Sequence, residues 1–193
     1  AATPRPAAEL ATLALMRLAS NDPDAAALQL DERWDKALPP DLSAWAWASV
    51  AKQSAMKQLP TAAEQFQRAA LRASRGGAEP DWPDDTLAWK ARAALRAEGG
   101  RVRWQQLVQA VNAMTPEQQR DPAWVYWKAR ALKAMASASQ DAEGMRAMAG
   151  ELLAGIAGRL HFYGLLAAED LGQPLALPAK PLPPTPEEID AAK

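Results

Sequence analysis

Trp89-Lys90-Ala91-Arg92-Ala93 recurs 38 positions later as Trp127-Lys128-Ala129-Arg130-Ala131. A fainter copy starts at Trp47, 42 positions before Trp89. A period near 40 is the length of one helical hairpin in a stacked repeat, since no hairpin can bury its apolar face alone. Within each copy small alanines let neighbouring helices approach closely, and the indoles fill the wedge between successive hairpins. The repeat predicts an all-α chain: a superhelical stack of short antiparallel helical hairpins, a tetratricopeptide-like α-solenoid.

Composition points the same way. The 193 residues are 49% apolar and 23% charged, which excludes wholesale disorder. There are 46 alanines against 5 Val, 2 Ile and 6 Thr, so helix formers greatly outnumber the β-branched residues that strands favour. With 22 basic and 23 acidic residues the net charge is −1, so no global field draws nucleic acid or anionic membranes. The chain has no cysteine and one histidine, His161, which excludes disulfides, thiol nucleophiles and multi-histidine zinc sites. Neither a cofactor nor a metal is expected, and no run reaches the ~18 apolar residues of a membrane span. The first residues, Ala1-Ala2-Thr3-Pro4, carry no charged leader followed by an apolar core.

Helix starts are marked where a capping side chain precedes a proline at the first helical position: Asp22-Pro23, Thr115-Pro116, Asp121-Pro122 and Thr185-Pro186. Thr61 with Glu64, Thr115 with Gln118 and Thr185 with Glu188 have capping-box spacing. Gly76-Gly77, Gly99-Gly100 and Gly172 mark stops. Between these signals the apolar period is helical, as in Trp104, Leu107, Val108, Val111 and Met114. The pattern predicts helices over 7–19, 23–35, 42–58, 62–75, 82–98, 101–113, 116–120, 122–137, 141–157 and 160–171. Prolines 174, 178, 181, 183, 184 and 186 then exclude helix, so 173–186 reads as a stiff extended strap anchored by Leu175, Leu177 and Leu182. Residues 1–172 form the repeat domain, and 187–193 open a helix that the chain barely begins, as if cut from something longer.

Trp127-Lys128-Ala129-Arg130-Ala131-Leu132, followed by Phe162-Tyr163-Gly164-Leu165-Leu166-Ala167-Ala168-Glu169-Asp170-Leu171-Gly172, resembles the superhelical region of soluble lytic murein transglycosylases. In that family a Tyr-Trp-x-Ala-Arg-Ala-Leu helix recurs, and a Phe-Tyr-Gly helix precedes a proline-containing strap. The resemblance is clear over 82–178 and weaker over 1–81. It implies a periplasmic protein whose short helices form a curved superhelix, followed in the parent enzymes by a linker domain and a lysozyme-like catalytic domain. Those enzymes cleave the β-1,4 bond between N-acetylmuramic acid and N-acetylglucosamine in peptidoglycan to a 1,6-anhydro product, using a glutamate in a Glu-Ser pair. This chain has no Glu-Ser dipeptide, so no catalytic residue carries over. The implied role is non-catalytic: positioning or restricting glycan strands for a separate catalytic domain, with peptidoglycan and other cell-wall proteins as partners. The alternative is a free-standing helical-repeat adaptor that binds a protein or peptide.

The remaining chemistry is sparse. Asp84-Asp85, Glu169-Asp170 and Glu187-Glu188 are adjacent on helices, where side chains diverge by about 100° and make solvated faces rather than acid–base pairs. His161 has no serine or cysteine motif near it. Trp89, Trp104, Trp124 and Trp127 lie on apolar stripes and read as core, with Trp89 and Trp127 in equivalent buried places. Trp45 and Trp47 cannot share a helix face, so one of them offers a ring for sugar stacking. With Arg92 and Arg96, on a basic stretch suited to anionic wall polymers, they are the candidate glycan or partner contacts. Trp127, Ala129, Arg130, Phe162, Tyr163 and Gly164 are the motif residues expected to pack.

Overall fold

The computed structural model describes residues 4–75, 81–137 and 139–174, and helix is the regular structure found among them. Along the chain run α1 (Arg5–Asn21), α2 (Pro23–Gln29), a π-helical turn (Leu30–Trp34), α3 (Asp35–Ala37), α4 (Pro40–Met56) and α5 (Ala62–Arg75). Then come α6 (Asp84–Arg96), α7 (Gly100–Ala113), α8 (Pro116–Gln119), α9 (Pro122–Ala136), α10 (Ala142–Ala157) and α11 (Phe162–Asp170). The expected caps form. Asp22 and Asp121 accept the backbone N–H groups of Ala25 and Ala123 at 2.9 and 2.8 Å, and Asp141, inside the predicted 141–157 helix, accepts Gly144 N–H at 3.2 Å as the cap of α10. Gly172 takes a left-handed φ of 67° beyond α11, and Gln173 N–H reaches back to Ala168 C=O at 2.9 Å. The strap and the final helix start fall outside the described residues from 175 onward, as does the Gly76-Gly77 stop.

Helices pack chiefly with the next in sequence, α4 with α5, α6 with α7 and α9 with α10, and these pairs are joined by α4 against α6 and α7 against α9. Alanine makes the close approach: Ala8, Ala19, Ala26, Ala46, Ala48, Ala69, Ala91 and Ala110 have no exposed surface. Two clusters of buried side chains result. The larger spans α1 to the start of α9, around Leu30, Trp47, Val50, Phe66 and Leu107. The smaller joins α9, α10 and α11 through Tyr126, Leu132, Leu153 and Ile156.

The predicted 23–35 helix is interrupted. The N–H of Asp35 bonds to Leu30 C=O, an i→i+5 link that widens the helix by one residue. The widened turn delivers Asp35 to α4 and α5. Its Oδ1 accepts from Ser43 Oγ at 2.8 Å, Trp47 Nε1 at 2.9 Å and Arg72 Nε at 2.6 Å, and Arg72 Nη2 pairs with Oδ2. Both charges are about four-fifths buried. Arg68 covers the outer face of Trp47, 5.0 Å from the ring centroid, and pairs with Asp31 and Glu64. Its charge is favoured by those carboxylates, which hold its pKa above the ordinary arginine value against the cost of burial. Three segments are thereby tied by one carboxylate. Asp35→Ala leaves a cation, an indole N–H and a hydroxyl without their acceptor and is expected to cost about 3 kcal/mol, read from urea unfolding. A loss near zero would show that the segments hold together without it.

Candidate binding groove

On α6, Trp89 and Arg92 are three residues apart and share a face; on α9, Trp124 and Trp127 do the same. Because α6 and α9 both pack on α7 and the α7–α8 link, these faces meet. The link is fixed by Asp84 at the start of α6, which accepts from Thr115 N–H at 2.8 Å and from Thr115 Oγ1 at 2.6 Å. Thr115 Oγ1 in turn caps Gln118 N–H at 3.4 Å. The guanidinium of Arg92 lies 4.8 Å from the Trp89 ring centroid and 5.4 Å from that of Trp124. Beside it a groove of about 300 Å³ is lined by Gln118, Asp121, Trp124, Trp127 and Tyr163. Tyr126 continues the aromatic row, with its ring 5.6 Å from Trp127 and 5.6 Å from Tyr163.

Arg92 is exposed and makes no ion pair among the described residues. Held over two rings, its planar cation keeps its outer N–H donors free for a carboxylate or hydroxyls. One Asp121 oxygen is committed to the Ala123 cap, 2.8 Å away, and the other can take a hydroxyl. Flat rings beside a fixed cation and a carboxylate can hold a polar ring with an acidic substituent.

The two copies of the repeat have matching environments. Trp89 and Trp127 are half-buried, Ala91 and Ala129 are fully buried, Arg92 and Arg130 are exposed, and Ala93 and Ala131 are buried. The indoles are thus equivalent but less enclosed than their apolar stripes predict. Lys90 is buried over the Trp82 ring at 5.5 Å, whereas Lys128 is half-buried and burial lowers its pKa. The copy at Trp47 does not match: Trp47 is 2% exposed and bonded to Asp35, while Trp45, at 36%, is the ring that reaches solvent. Arg96 stands apart from Arg92, in a cleft between the α4–α5 turn and α7.

The motif residues divide. Ala129 packs, and Arg130 reaches Tyr126 Oη at 3.3 Å and Asp170 at 3.7 Å. Tyr163 is half-buried. Phe162, expected to pack, is 67% exposed and touches Tyr163 edge-on at 5.2 Å, because the start of α11 turns that position outward. Gly164 has a steric reason: a Cβ there would collide with Arg159 C=O and stand 2.9 Å from Ile156 C=O, at the end of α10. His161 Nδ1 accepts Gly164 N–H at 2.9 Å, so the imidazole is the N-cap of α11. Of the described acid pairs, Asp84 is engaged with Thr115, Asp85 with Lys52, and Asp170 with Arg130 and Lys133, while Glu169 is exposed. Among the described residues no three side chains gather as a metal site. Sequence reasoning missed Gln118, Asp121 and Tyr126, although Trp-x-x-Arg and Trp-x-x-Trp spacing marks the faces they complete.

Compared with known proteins, the chain matches no family model and no curated sequence.

Two substitutions test this local reading. Gly164→Ala should cost about 1–3 kcal/mol through the carbonyl collision, whereas Gly155→Ala, with open space at its Cβ, should be neutral or stabilise by up to about 1 kcal/mol. Equal effects on the thermal midpoint would refute the close approach. Lys128 binds its proton less well in the folded chain. The unfolded chain therefore holds more protons just below lysine's ordinary value, and this group makes stability rise with pH there. Lys128→Met should remove that rise when urea midpoints are compared from about pH 8 upward.

Proposed function

We propose that the chain is the non-catalytic superhelical part of a periplasmic lytic transglycosylase, and that the Arg92 groove holds peptidoglycan glycan strands for a catalytic domain carried elsewhere. The observation that supports this most is the junction of Trp124, Trp127 and Tyr163 around Arg92, which makes no ion pair among the described residues. Two of these, Trp127 and Tyr163, belong to the segments that resemble the family, and they line one groove rather than two separate cores. Hairpin pairing and the matching burial of the Trp, Ala and Arg positions in the two repeat copies favour a solenoid, whose curvature would limit which strands reach the active site. The periplasmic location in this reading is what the resemblance implies. In this reading aromatic faces stack on sugar rings, and Arg92 takes the carboxylate of a muramic acid substituent or its peptide stem. The adaptor reading draws on a different surface, the trough between α5 and α7.

Co-sedimentation with purified sacculi tests the proposal. The chain should pellet with the wall, and Arg92→Glu should lower the bound fraction at least about fivefold while leaving the helical spectrum unchanged, the reversal of one charge contact. Chromatography of the supernatant should show no 1,6-anhydro muropeptides above a buffer blank. A chain that stays in solution, or an Arg92→Glu variant that binds equally well, would sink the glycan reading. Anhydro products would overturn the non-catalytic one.

A further inference from the structure

Helices α5 and α7 both lean on α6 rather than on each other. Between them runs a trough made of two adjoining cavities of about 450 and 350 Å³, which share Gln67, Val102 and Gln106 in their walls. Gln58 lines one end, and Gln105 and Gln109 line the other. Five carboxamides therefore face one channel. A carboxamide carries the same donor and acceptor pair as a peptide group, so a row of them matches the backbone of an extended chain whatever its sequence.

One observation marks the trough as unfinished. Gln106 is 7% exposed, and its Nε2 has no hydrogen-bond partner among the described residues. A buried amide donor left unpaired is costly. Gln58 takes its left-handed φ of 61° in the C-terminal cap of α4, with its N–H on Ala55 C=O at 3.0 Å and Leu59 N–H on Ser54 C=O at 2.9 Å, and this turn sets its side chain at the trough's end. Along the rim, Leu71 and Val102 are 61% and 57% exposed. Across both cavities the lining carries Lys90, Arg96 and Arg103 against Glu64 and Glu98. Glu64 is held by Arg68 at 2.9 Å, and Arg103 donates to Ala97 C=O at 3.3 Å and lies over Trp104. Glu98 is also there, yet Arg96 makes no ion pair among the described residues. Phe66, the ring in the wall, is 1% exposed, so the trough offers no aromatic face for a sugar.

We propose that the α5–α7 trough binds an extended peptide bearing an acidic side chain. The glutamines pair with its backbone, Leu71 and Val102 meet an apolar side chain, and Arg96 takes the carboxylate. This site is separate from the Arg92 groove and stands whether or not the groove holds glycan. The probe is a capped heptapeptide of alternating leucine and glutamate, titrated into the ¹⁵N-labelled chain and followed by its side-chain amide resonances. The amides of Gln67, Gln105, Gln106 and Gln109 should shift together. Arg96→Glu, or lysine in place of glutamate in the peptide, should weaken binding at least about tenfold, and Val102→Asp should do the same by a separate contact. No shift up to about 1 mM peptide, or unchanged affinity in both variants, would overturn the proposal. So would shifts confined to the indole N–H signals of Trp89 and Trp127. An N-acetylglucosamine oligomer that moves the same glutamine amides would reassign the trough to glycan.

Discussion

Contact between helices across bare methyl groups is the constraint on which everything else rests. Ala46, Ala48 and Ala51 on α4, Ala69 on α5, Ala91 on α6 and Ala110 on α7 are all fully enclosed. An alanine brings two backbones close but buries little apolar area, so the interface gains little from each one. Stability must then be concentrated elsewhere. It falls to a few large side chains, such as Trp47, Phe66, Leu30 and Leu107, and to polar ties between segments. The same closeness leaves no room for most indoles. Of the eight tryptophans only Trp47, Trp82 and Trp124 are buried, and the half-enclosed Trp127 joins Trp124 in the wall of the groove.

Asp35 shows how a polar tie depends on backbone geometry. An uninterrupted α-helix from Pro23 would have carried Asp35 further around its axis, because the π turn winds less per residue. The extra residue in the turn places its carboxylate against Trp47, Ser43 and Arg72 instead. Its reach into α5 also orients Arg72, one turn beyond Arg68, which roofs the same indole. The Asp35 cluster thus locks the first part of the chain, and the Asp84–Thr115 bonds lock the link that shapes the groove.

Much of the fold was legible in the sequence because its punctuation is local. The 62–75 helix has the predicted bounds, and Asp22, Thr115 and Asp121 act through neighbours two or three residues away. The π turn was not legible. Leu30-Asp31-Glu32-Arg33-Trp34 holds no glycine or proline, and the widening is stabilised by partners on α4 and α5 that lie far along the chain. The groove was half legible. Arg92, Trp127 and Tyr163 stood out by pattern, while exposure decided Trp45 against Trp47 and turned Phe162 outward. The trough gave no signal at all. Its glutamines are divided among the α4–α5 turn, α5 and α7, and an isolated glutamine on a helix reads as an ordinary solvated side chain.

Helix α9 belongs to both buried clusters: Trp124 and Ala131 face the larger, while Tyr126, Ala129, Leu132 and Met135 face the smaller. Its exposed positions are few, and one of them, Arg130, is engaged with Tyr126 and Asp170. An inserted residue in α9 would rotate every later side chain by about 100° and misplace both clusters at once. The same insertion in α1, which packs on α2 and α4 and has a long outer face, would disturb one cluster only. Across descendants of this sequence, then, length should drift at the ends and in the loops, while α9 keeps its residue count.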